Sequence, residues 1–321
     1  MVIDLPQLSI TQPIIRFCRK LMHEIPLKYF HSVAKTGSLS AASEELHVAV
    51  SAISRQITQL EERLQLSLFE RKARGMTLTP AGEVLYTYSL RNTLELKNVL
   101  AEMRGVTSIQ QQSIAIACPE GMAWDFLPNT MTQFRQTYPS ALFSLQVVES
   151  AKATQLVKEG KVDIALTFSL QPEQGVEVAL QVPSPIHALL PTSHPLASKA
   201  ILSLKDLSEY PLALPESGTT LSYLFDIACH LEGINIIPTL NSNAMGAIYS
   251  FVATSSDAIA LCGKLSVERR AQHDGLCTRP IQADSLEQRS LQLQVMSRRK
   301  QPTLVQYFLD FLSQKLNQQA G

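Results

Sequence analysis

The period of the apolar residues changes near residue 110 of this 321-residue chain, and this change limits the folds that it can adopt. Residues 27–64 and 80–105 place apolar side chains every three or four positions, as amphipathic helices do. Beyond residue 112, short apolar runs alternate with helical patterns, which predicts alternating strands and helices. At about 150 residues per domain, the length fits a helical N-terminal unit followed by a larger α/β unit.

Composition excludes several classes of protein. Apolar residues make up 45% and charged residues 17% of the chain, so it is not disordered as a whole. No run approaches the ~18 apolar residues of a membrane-spanning helix, and the N-terminus does not resemble a signal peptide. The five cysteines form no CxxC pair, which argues against a disulfide framework or a zinc ribbon. We therefore expect a cytoplasmic protein with no membrane contact, no metal and no cofactor.

The charges are unevenly distributed along the chain. The formal net charge is zero, from 28 basic and 28 acidic residues. Residues 1–106 contain 13 basic and 10 acidic side chains, which is a small positive excess. Because the whole chain is neutral, residues 107–321 carry an equal negative excess. This small asymmetry suggests that the N-terminal unit has an anionic partner.

Three helical patterns follow one another between Leu27 and Leu64. Gly37 ends the first, and the hydroxyl of Ser38 or Ser40 can cap the second. The third, residues 50–64, begins after a short break. Two short helices joined in this way are typical of a helix-turn-helix, although periodicity alone fits any three-helix bundle equally well.

A basic β-like segment and a long helix complete the N-terminal pattern. Residues 65–78, with a turn at Arg74, predict a two-stranded wing. Thr79 and Pro80 begin a helix of about 25 residues. One side of it carries Ala81, Leu85, Tyr88, Asn92, Leu96, Val99 and Met103, at the spacing of a dimerising coiled coil. The alternative is a helix that packs on its own domain.

The remaining chain predicts two α/β lobes. Residues 114–167 show a βαβαβ pattern, which implies a parallel sheet covered on both faces. A second unit begins near Ile186. A late strand at 291–296 and a helix at 304–316 can return to complete the first unit. The chain would then cross twice between two lobes that enclose a cleft.

Several longer motifs resemble the LysR-type transcriptional regulators. They are GSLSAASEELHV, SAISRQITQLEERL and LFERKARGMTLTPAG, followed by FLP, FRQTYP, EGKVDIAL and HPLA in the family order. The resemblance covers essentially residues 27–321. It implies an α/β protein with an N-terminal winged helix-turn-helix, a long linker helix and a two-lobed, periplasmic-binding-protein-like effector domain.

The resemblance also suggests domain boundaries. We expect an N-terminal extension at residues 1–25, the winged helix-turn-helix at 26–78, the linker (dimerisation) helix at 79–106 and the effector-binding domain at 107–321. Within that domain, lobe 1 would contain residues 113–184 and 290–321, and lobe 2 residues 185–289.

The function implied is sequence-specific DNA binding that a small-molecule effector between the lobes modulates. Expected partners are double-stranded DNA with an interrupted inverted repeat at a promoter, an unidentified effector, further copies in a homodimer or homotetramer, and RNA polymerase. No GxSxG, HExxH, GxxxxGK or GxGxxG motif indicates an enzyme. Two alternatives remain open: a constitutive DNA-binding regulator without an effector, and a solute-binding protein.

Ten residues are expected to contact DNA. Arg55 can reach a guanine edge or a phosphate, and the basic residues of the wing suit phosphates. The full set is Ser38, Ser40, Val50, Ser51, Ser54, Arg55, Thr58, Arg71, Lys72 and Arg74. Ala49 and Val50 replace a polar cap and a glutamine that are common in the family, and Gln65 replaces a glycine-containing turn. The target sites should therefore differ in detail from the family norm.

The effector is expected at the carboxyl ends of the strands. The candidate contacts are Pro119, Glu120, Gly121, Ala151, Lys152, Thr167, Ser217, Gly218, Thr219, Asn241 and Asn243. The segment from Ser217 to Thr220 opens a helix, which suits an anion such as a carboxylate, and Lys152 can add positive charge. Glu120 and Glu216 leave an amine or amino acid open. Ser217 and Thr219 would also serve as helix caps.

The cysteines raise the separate question of redox sensing. Peroxide-sensing members of the family carry a reactive cysteine where this chain has Thr220, and Cys229 matches its partner position. Cys118 precedes a helix whose N-terminus can lower a thiol pKa. Buried, inert thiols are the favoured interpretation.

Overall fold

The computed structural model describes residues 25–72, 75–103, 113–168 and 173–320. The chain divides into two compact units at residues 97 and 98. The expected extension up to residue 24, the wing turn with Arg74 and the TSIQQQ linker at 107–112 lie outside the described residues.

The first unit has the predicted order of three helices, a hairpin and a long helix. Its elements are α1 (Ile25–Thr36), α2 (Leu39–Leu46), α3 (Val50–Leu64), β1 (Phe69–Lys72), β2 (Gly75–Leu78) and α4 (Pro80–Met103). The two strands are antiparallel, with Phe69 opposite Leu78. The expectation of a winged helix-turn-helix is therefore confirmed.

Small and aromatic side chains pack the helices of this unit together. Phe30 of α1 and Ile53 and Leu60 of α3 are fully buried and lie in one apolar cluster. Ala42 of α2 is also completely buried, because a larger side chain would separate the crossing helices. Phe69 joins the cluster from the wing and lies 5.2 Å from the ring of Phe30.

Local hydrogen bonds set the ends of these helices. Ser38, rather than Ser40, caps α2: its hydroxyl accepts from the N–H of Ala41 at 3.3 Å. At the start of α4, Thr79 Oγ1 accepts from the N–H of Gly82 at 3.0 Å. Ala49 begins α3 without a side-chain cap, as its sequence predicted.

Gln65 ends α3 in the left-handed region, at φ 53°. A side chain with a Cβ is unfavourable there, so Gln65→Gly is expected to raise the free energy of unfolding by about 1 kcal/mol. The midpoint of urea denaturation measures this change. Glu62→Gly, on the exposed side of the same helix, should lower it by about 1 kcal/mol. A lower midpoint for Gln65→Gly than for wild type would contradict the assignment of strain.

The second unit alternates strands and helices. Its elements are β3 (Ser113–Cys118), α5 (Glu120–Trp124), α6 (Phe126–Thr137), β4 (Leu142–Val147), α7 (Ser150–Lys158), β5 (Ile164–Thr167), β6 (Val176–Pro183), β7 (Ile186–Pro191), a 3-10 turn (Pro195–Ser198), α8 (Leu204–Leu207), β8 (Leu212–Pro215), α9 (Thr220–Glu232), β9 (Leu240–Ser242), α10 (Met245–Ala253), β10 (Ile259–Gly263), α11 (Lys264–His273), β11 (Leu276–Pro280), α12 (Asp284–Glu287), β12 (Ser290–Met296) and α13 (Thr303–Ala320).

Two five-stranded sheets organise this unit, in the orders β4-β3-β5-β12-β6 and β11-β7-β10-β8-β9. Strand β12 enters the first sheet between β5 and β6, so the expected return of the chain to lobe 1 is confirmed. The parallel sheet expected from the βαβαβ pattern of residues 114–167 is confirmed for its three strands. Strands β3, β4 and β5 are parallel, but β12 is antiparallel to both of its neighbours because it brings the chain back from the other sheet.

The two segments that cross between the sheets lie side by side. Ser184 follows β6, and Arg289 precedes β12. The N–H of Ser184 donates to the carbonyl of Arg289 at 2.9 Å. The crossing therefore places Arg289 between the two lobes.

Within the described parts of the chain, the helices are too short or too polar to cross a membrane.

Candidate DNA-binding surface and effector cleft

One face of α3 is exposed while the opposite face forms the core. At about 100° per residue, the positions expected to contact DNA cover about 140° of the helix surface. Ser51, Arg55 and Thr58 are exposed, Val50 is 40% exposed, and Ser54 is half-buried. Among the described residues, Arg55 has no hydrogen-bond or ion-pair partner, so its guanidinium group is available to an external ligand.

The remaining expected DNA contacts lie on α2 and the wing. Ser40 is exposed on α2, whereas the hydroxyl of Ser38 already serves as a cap. Arg71 and Lys72 are exposed on β1, and Lys72 Nζ lies 3.5 Å from a carboxylate oxygen of Glu70. An exposed pair of this kind is weak and can exchange for a phosphate.

The apolar seam of α4 divides into two parts. Ala81, Leu85 and Tyr88 pack against the core of their own unit. This part of the helix agrees with the alternative that it packs on its own domain. Leu96 and Val99 are 54% and 43% exposed, so the second part of the seam is uncovered in a single chain.

A cavity of about 670 Å³ opens between the two sheets of the second unit. This volume suits a small organic ligand. Eight of the eleven expected effector contacts line it: Pro119, Glu120, Gly121, Ala151, Ser217, Gly218, Thr219 and Asn243. They come from the carboxyl ends of strands and the helix starts that follow, as expected for an open α/β sheet.

Three expected contacts do not line this cavity. Lys152 is exposed on α7, and Asn241 lines a separate groove beside α9. Thr167 is fully buried, and its hydroxyl has no hydrogen-bond partner among the described residues. Lys152 therefore does not supply positive charge to the lining of this cavity.

Two hydrogen bonds join lining residues across the cleft. A carboxylate oxygen of Glu120, on the first lobe, accepts from the N–H of Met245 at 2.9 Å. Thr220 Oγ1, on the second lobe, donates to the carbonyl of Phe168 at 2.7 Å. One oxygen of Glu120 is thus already engaged by the start of α10, which weakens the case for an ammonium ligand there.

Of the two residues expected to cap α9, Thr219 is the cap. Thr219 Oγ1 accepts from the N–H of Ser222 at 3.1 Å. Gly218 has φ 101°, which disfavours any residue with a side chain. A side chain at residue 218 would therefore strain the loop where it lines the cavity.

Arg289 is the principal residue of the cleft that sequence reasoning missed. It lines the cavity but is only 6% exposed. Its Nε and Nη1 atoms have no hydrogen-bond partner among the described residues. Burial lowers the pKa of its guanidinium group to about 9, and the group remains charged at neutral pH. No local motif distinguishes this arginine, because the residues around it are distant in sequence.

The cysteines of the described chain have thiol pKa values above the usual range. Burial raises the pKa of Cys118 and of Cys262 to about 12, and of Cys229 to about 11. The helix after Cys118 therefore does not lower the pKa of its thiol. This favours the interpretation that the thiols are inert.

A labelling experiment tests this directly. At pH 8, iodoacetamide is expected to leave Cys118 and Cys262 unmodified in the folded protein, because almost none of either thiol is ionised. Both should react after denaturation in urea, as peptide mapping by mass spectrometry would show. Rapid modification of either thiol in the native state would contradict their assignment as inert.

Comparison with protein families now identifies both units. A family described as "Bacterial regulatory helix-turn-helix protein, lysR family" matches residues 26–83. A second, "LysR substrate binding domain", matches residues 109–317, which is more than half of the chain.

The chain belongs to the LysR family.

As a LysR-family protein it is a transcriptional regulator with a DNA-binding helix-turn-helix and a substrate-binding domain, and not an enzyme. The helix-turn-helix match also removes the alternative of a solute-binding protein.

Named relatives of this LysR-family chain are regulators. It is 32% identical over 198 residues to the RuBisCO operon transcriptional regulator of Allochromatium vinosum, an alignment that spans 60% of this chain and 64% of that protein. It is 26% identical over 230 residues to the regulator TdcA of Escherichia coli, across 70% and 72% of the two chains.

A solved structure supports the fold. A full-length, cysteine-substituted OxyR from Pseudomonas aeruginosa superposes with a TM-score of 0.58 at 18% identity, over 92% of this chain and 95% of that one. At this identity, the similarity indicates the shared fold only.

Proposed function

We propose that this regulator binds an interrupted inverted repeat in promoter DNA, and that a small molecule in the cleft between the lobes modulates this binding. The observation that carries the proposal is the exposed polar face of α3, on which Arg55 has no partner among the described residues. The ten expected DNA contacts belong to this proposal. The promoter complex would act in the cytoplasm, with RNA polymerase as a further partner.

Homodimers or homotetramers fit the same proposal. The exposed second part of the α4 seam, at Leu96 and Val99, supports dimerisation through the linker helix at 79–106. A dimer would present two α3 helices to half-sites about one DNA turn, ~34 Å, or a multiple of it apart. In this proposal, the helix-turn-helix at 26–78 binds DNA and the effector domain at 107–321 binds the small molecule.

The lining of the cleft supports the modulation by a ligand. The cavity is large enough for a small molecule, and residues of both lobes form its walls. A ligand that contacts both lobes binds one arrangement of the lobes more tightly than another. This difference in ligand affinity sets how far the ligand can shift the equilibrium and thereby change DNA binding. The eight expected contacts that line the cavity are proposed as ligand contacts.

Selection of bound fragments from the native genome by the purified protein tests the proposal. Footprinting of the selected fragments at moderate salt should show protection of an interrupted inverted repeat. A cell extract fraction of small molecules should change the footprint if the cleft is regulatory. An unchanged footprint would favour a constitutive regulator, and equal protection of all sequences would overturn specific recognition.

A further inference from the structure

The cleft contains one buried positive charge without a counter-charge. Arg289 is only 6% exposed and forms no ion pair with a described residue. Its Nε and Nη1 atoms have no hydrogen-bond partner among those residues. A buried, unpaired charge is costly, and such a group is commonly retained where a ligand completes its interactions.

The surrounding residues hold the guanidinium group in one position. The ring of Phe168 lies 3.4 Å from its central carbon on one side. A Cβ added to Gly263 would lie 3.0 Å from Nη1, so glycine leaves room for the group there. Phe168 is itself fixed, because its N–H donates to Ser150 Oγ at 3.0 Å and its carbonyl accepts from Thr220.

We propose that Arg289 binds the carboxylate group of a small anionic effector whose apolar body lies in the same cavity. This inference rests on the proposed function and specifies the ligand class of its cleft. A planar guanidinium group pairs with a carboxylate through two parallel hydrogen bonds, from Nη2 together with either Nε or Nη1, and Arg289 lines the cavity in which such a carboxylate would lie. Val148, Phe168, Leu221 and Ile248 supply apolar lining for the rest of the ligand.

The acidic residues of the cavity do not neutralise this charge. A carboxylate oxygen of Glu120 accepts from the N–H of Met245, and Glu173 pairs with Lys158 at 2.8 Å. Glu149 and Glu216 are exposed, and neither forms an ion pair with Arg289. The ionisable side chain that acts on Arg289 is Cys262, whose thiol is protonated because burial raises its pKa to about 12.

The position of Arg289 also links the ligand to the lobe crossing. Its carbonyl accepts from the N–H of Ser184, on the other crossing segment. Phe168 belongs to the first lobe, and Gly263 ends β10 of the second. A carboxylate bound to this guanidinium group therefore contacts the point at which the two lobes join.

Matched probes that differ only in charge test the proposal. Sodium hexanoate and hexanamide share an apolar chain, and only the first carries a carboxylate. Isothermal titration calorimetry with the full-length protein should show at least tenfold tighter binding of hexanoate. Arg289→Met should abolish this preference and leave the weak binding of hexanamide, whereas Arg289→Lys should retain part of the preference. Phenylacetate and phenylacetamide repeat the comparison with an aromatic body.

Thermal denaturation without a ligand gives a second readout. Because an unpaired charge is removed from the interior, Arg289→Met should have a higher Tm than wild type, and the carboxylate should raise the Tm of wild type alone. A lower Tm for Arg289→Met would mean that the guanidinium group is already satisfied, and would overturn the proposal.

The binding results separate this proposal from the proposed function. Equal binding of each acid and its amide to wild type would overturn the carboxylate assignment but leave the cleft as a ligand site. A charge preference that survives in Arg289→Met, or no binding of either acid at millimolar concentration, would also overturn it. Failure of specific DNA binding by wild-type protein, measured without a probe, would instead overturn the proposed function.

Discussion

Arg55→Ala is expected to weaken binding to a selected genomic site by about 2–6 kcal/mol for a dimer, with little change in affinity for unrelated DNA. Arg55 is exposed on α3 and has no partner among the described residues, so the substitution costs the folded unit little. A bidentate contact with guanine contributes about 1–3 kcal/mol of discrimination, and a dimer makes the contact twice. Fluorescence anisotropy with specific and scrambled duplexes measures both affinities.

Arg55→Lys distinguishes base recognition from charge. Lysine keeps the positive charge but lacks the planar pair of donors. If Arg55 reads a guanine, Arg55→Lys should lose most of the discrimination and retain the dependence of affinity on salt. If Arg55→Lys binds the specific site as tightly as wild type does, the residue contacts phosphate, and the assignment of base recognition is wrong.

Gly82→Ala is expected to destabilise the first unit by about 3 kcal/mol or more and to abolish DNA binding. A Cβ at residue 82 would lie 2.1 Å from the carbonyl oxygen of Leu68. That backbone cannot easily move, because the N–H of Leu68 donates to Glu61 at 2.7 Å and its carbonyl accepts from Thr79 at 3.0 Å. Circular dichroism during heating, with anisotropy for DNA binding, measures the two effects.

Gly246→Ala provides the matched control. Gly246 also lies in a helix, α10, but no heavy atom lies within 4 Å of an added Cβ. The general preference of helices for alanine should therefore raise the free energy of unfolding by up to ~1 kcal/mol. A Gly82→Ala protein that melts at the wild-type temperature and binds DNA normally would show that α4 does not approach the wing this closely.

Local sequence signals predicted the first unit well. Ser38 and Thr79 cap the starts of α2 and α4, and the helical patterns that follow them indicate this role. Ala42 is a small residue at a helix crossing. Each of these features depends on residues a few positions apart. Gln65 was noted for a different reason: it replaces a glycine-containing turn that is common in the family, and its φ of 53° is in the left-handed region that glycine favours.

The second unit was less predictable where pairing joins distant segments. The alternation of apolar runs indicated β3, β4 and β5 but not the antiparallel entry of β12, which depends on the return of the chain from the other lobe. Strands β6 and β11 and helix α11 were not anticipated. The polar sequence of α11, with charged residues throughout, gives little helical apolar pattern.

In the effector cleft, too, the side chains brought together from distant segments could not be predicted from the sequence. Loops at strand ends were identified correctly as cavity walls, because that relation holds for open α/β sheets in general. Lys152 was a reasonable cation by sequence, but it is exposed on α7. The cation that lines the cavity is Arg289, whose environment brings together Phe168 and Gly263 from far along the chain.

The ratio of affinities for a genome-selected fragment and for a scrambled duplex of the same length and composition tests the central claim most directly. Measured with wild-type protein at about 150 mM salt, the ratio should be about 10³ or more, as expected for a sequence-specific regulator. A ratio near one would contradict the account, because it would mean that the α3 surface binds DNA by charge alone.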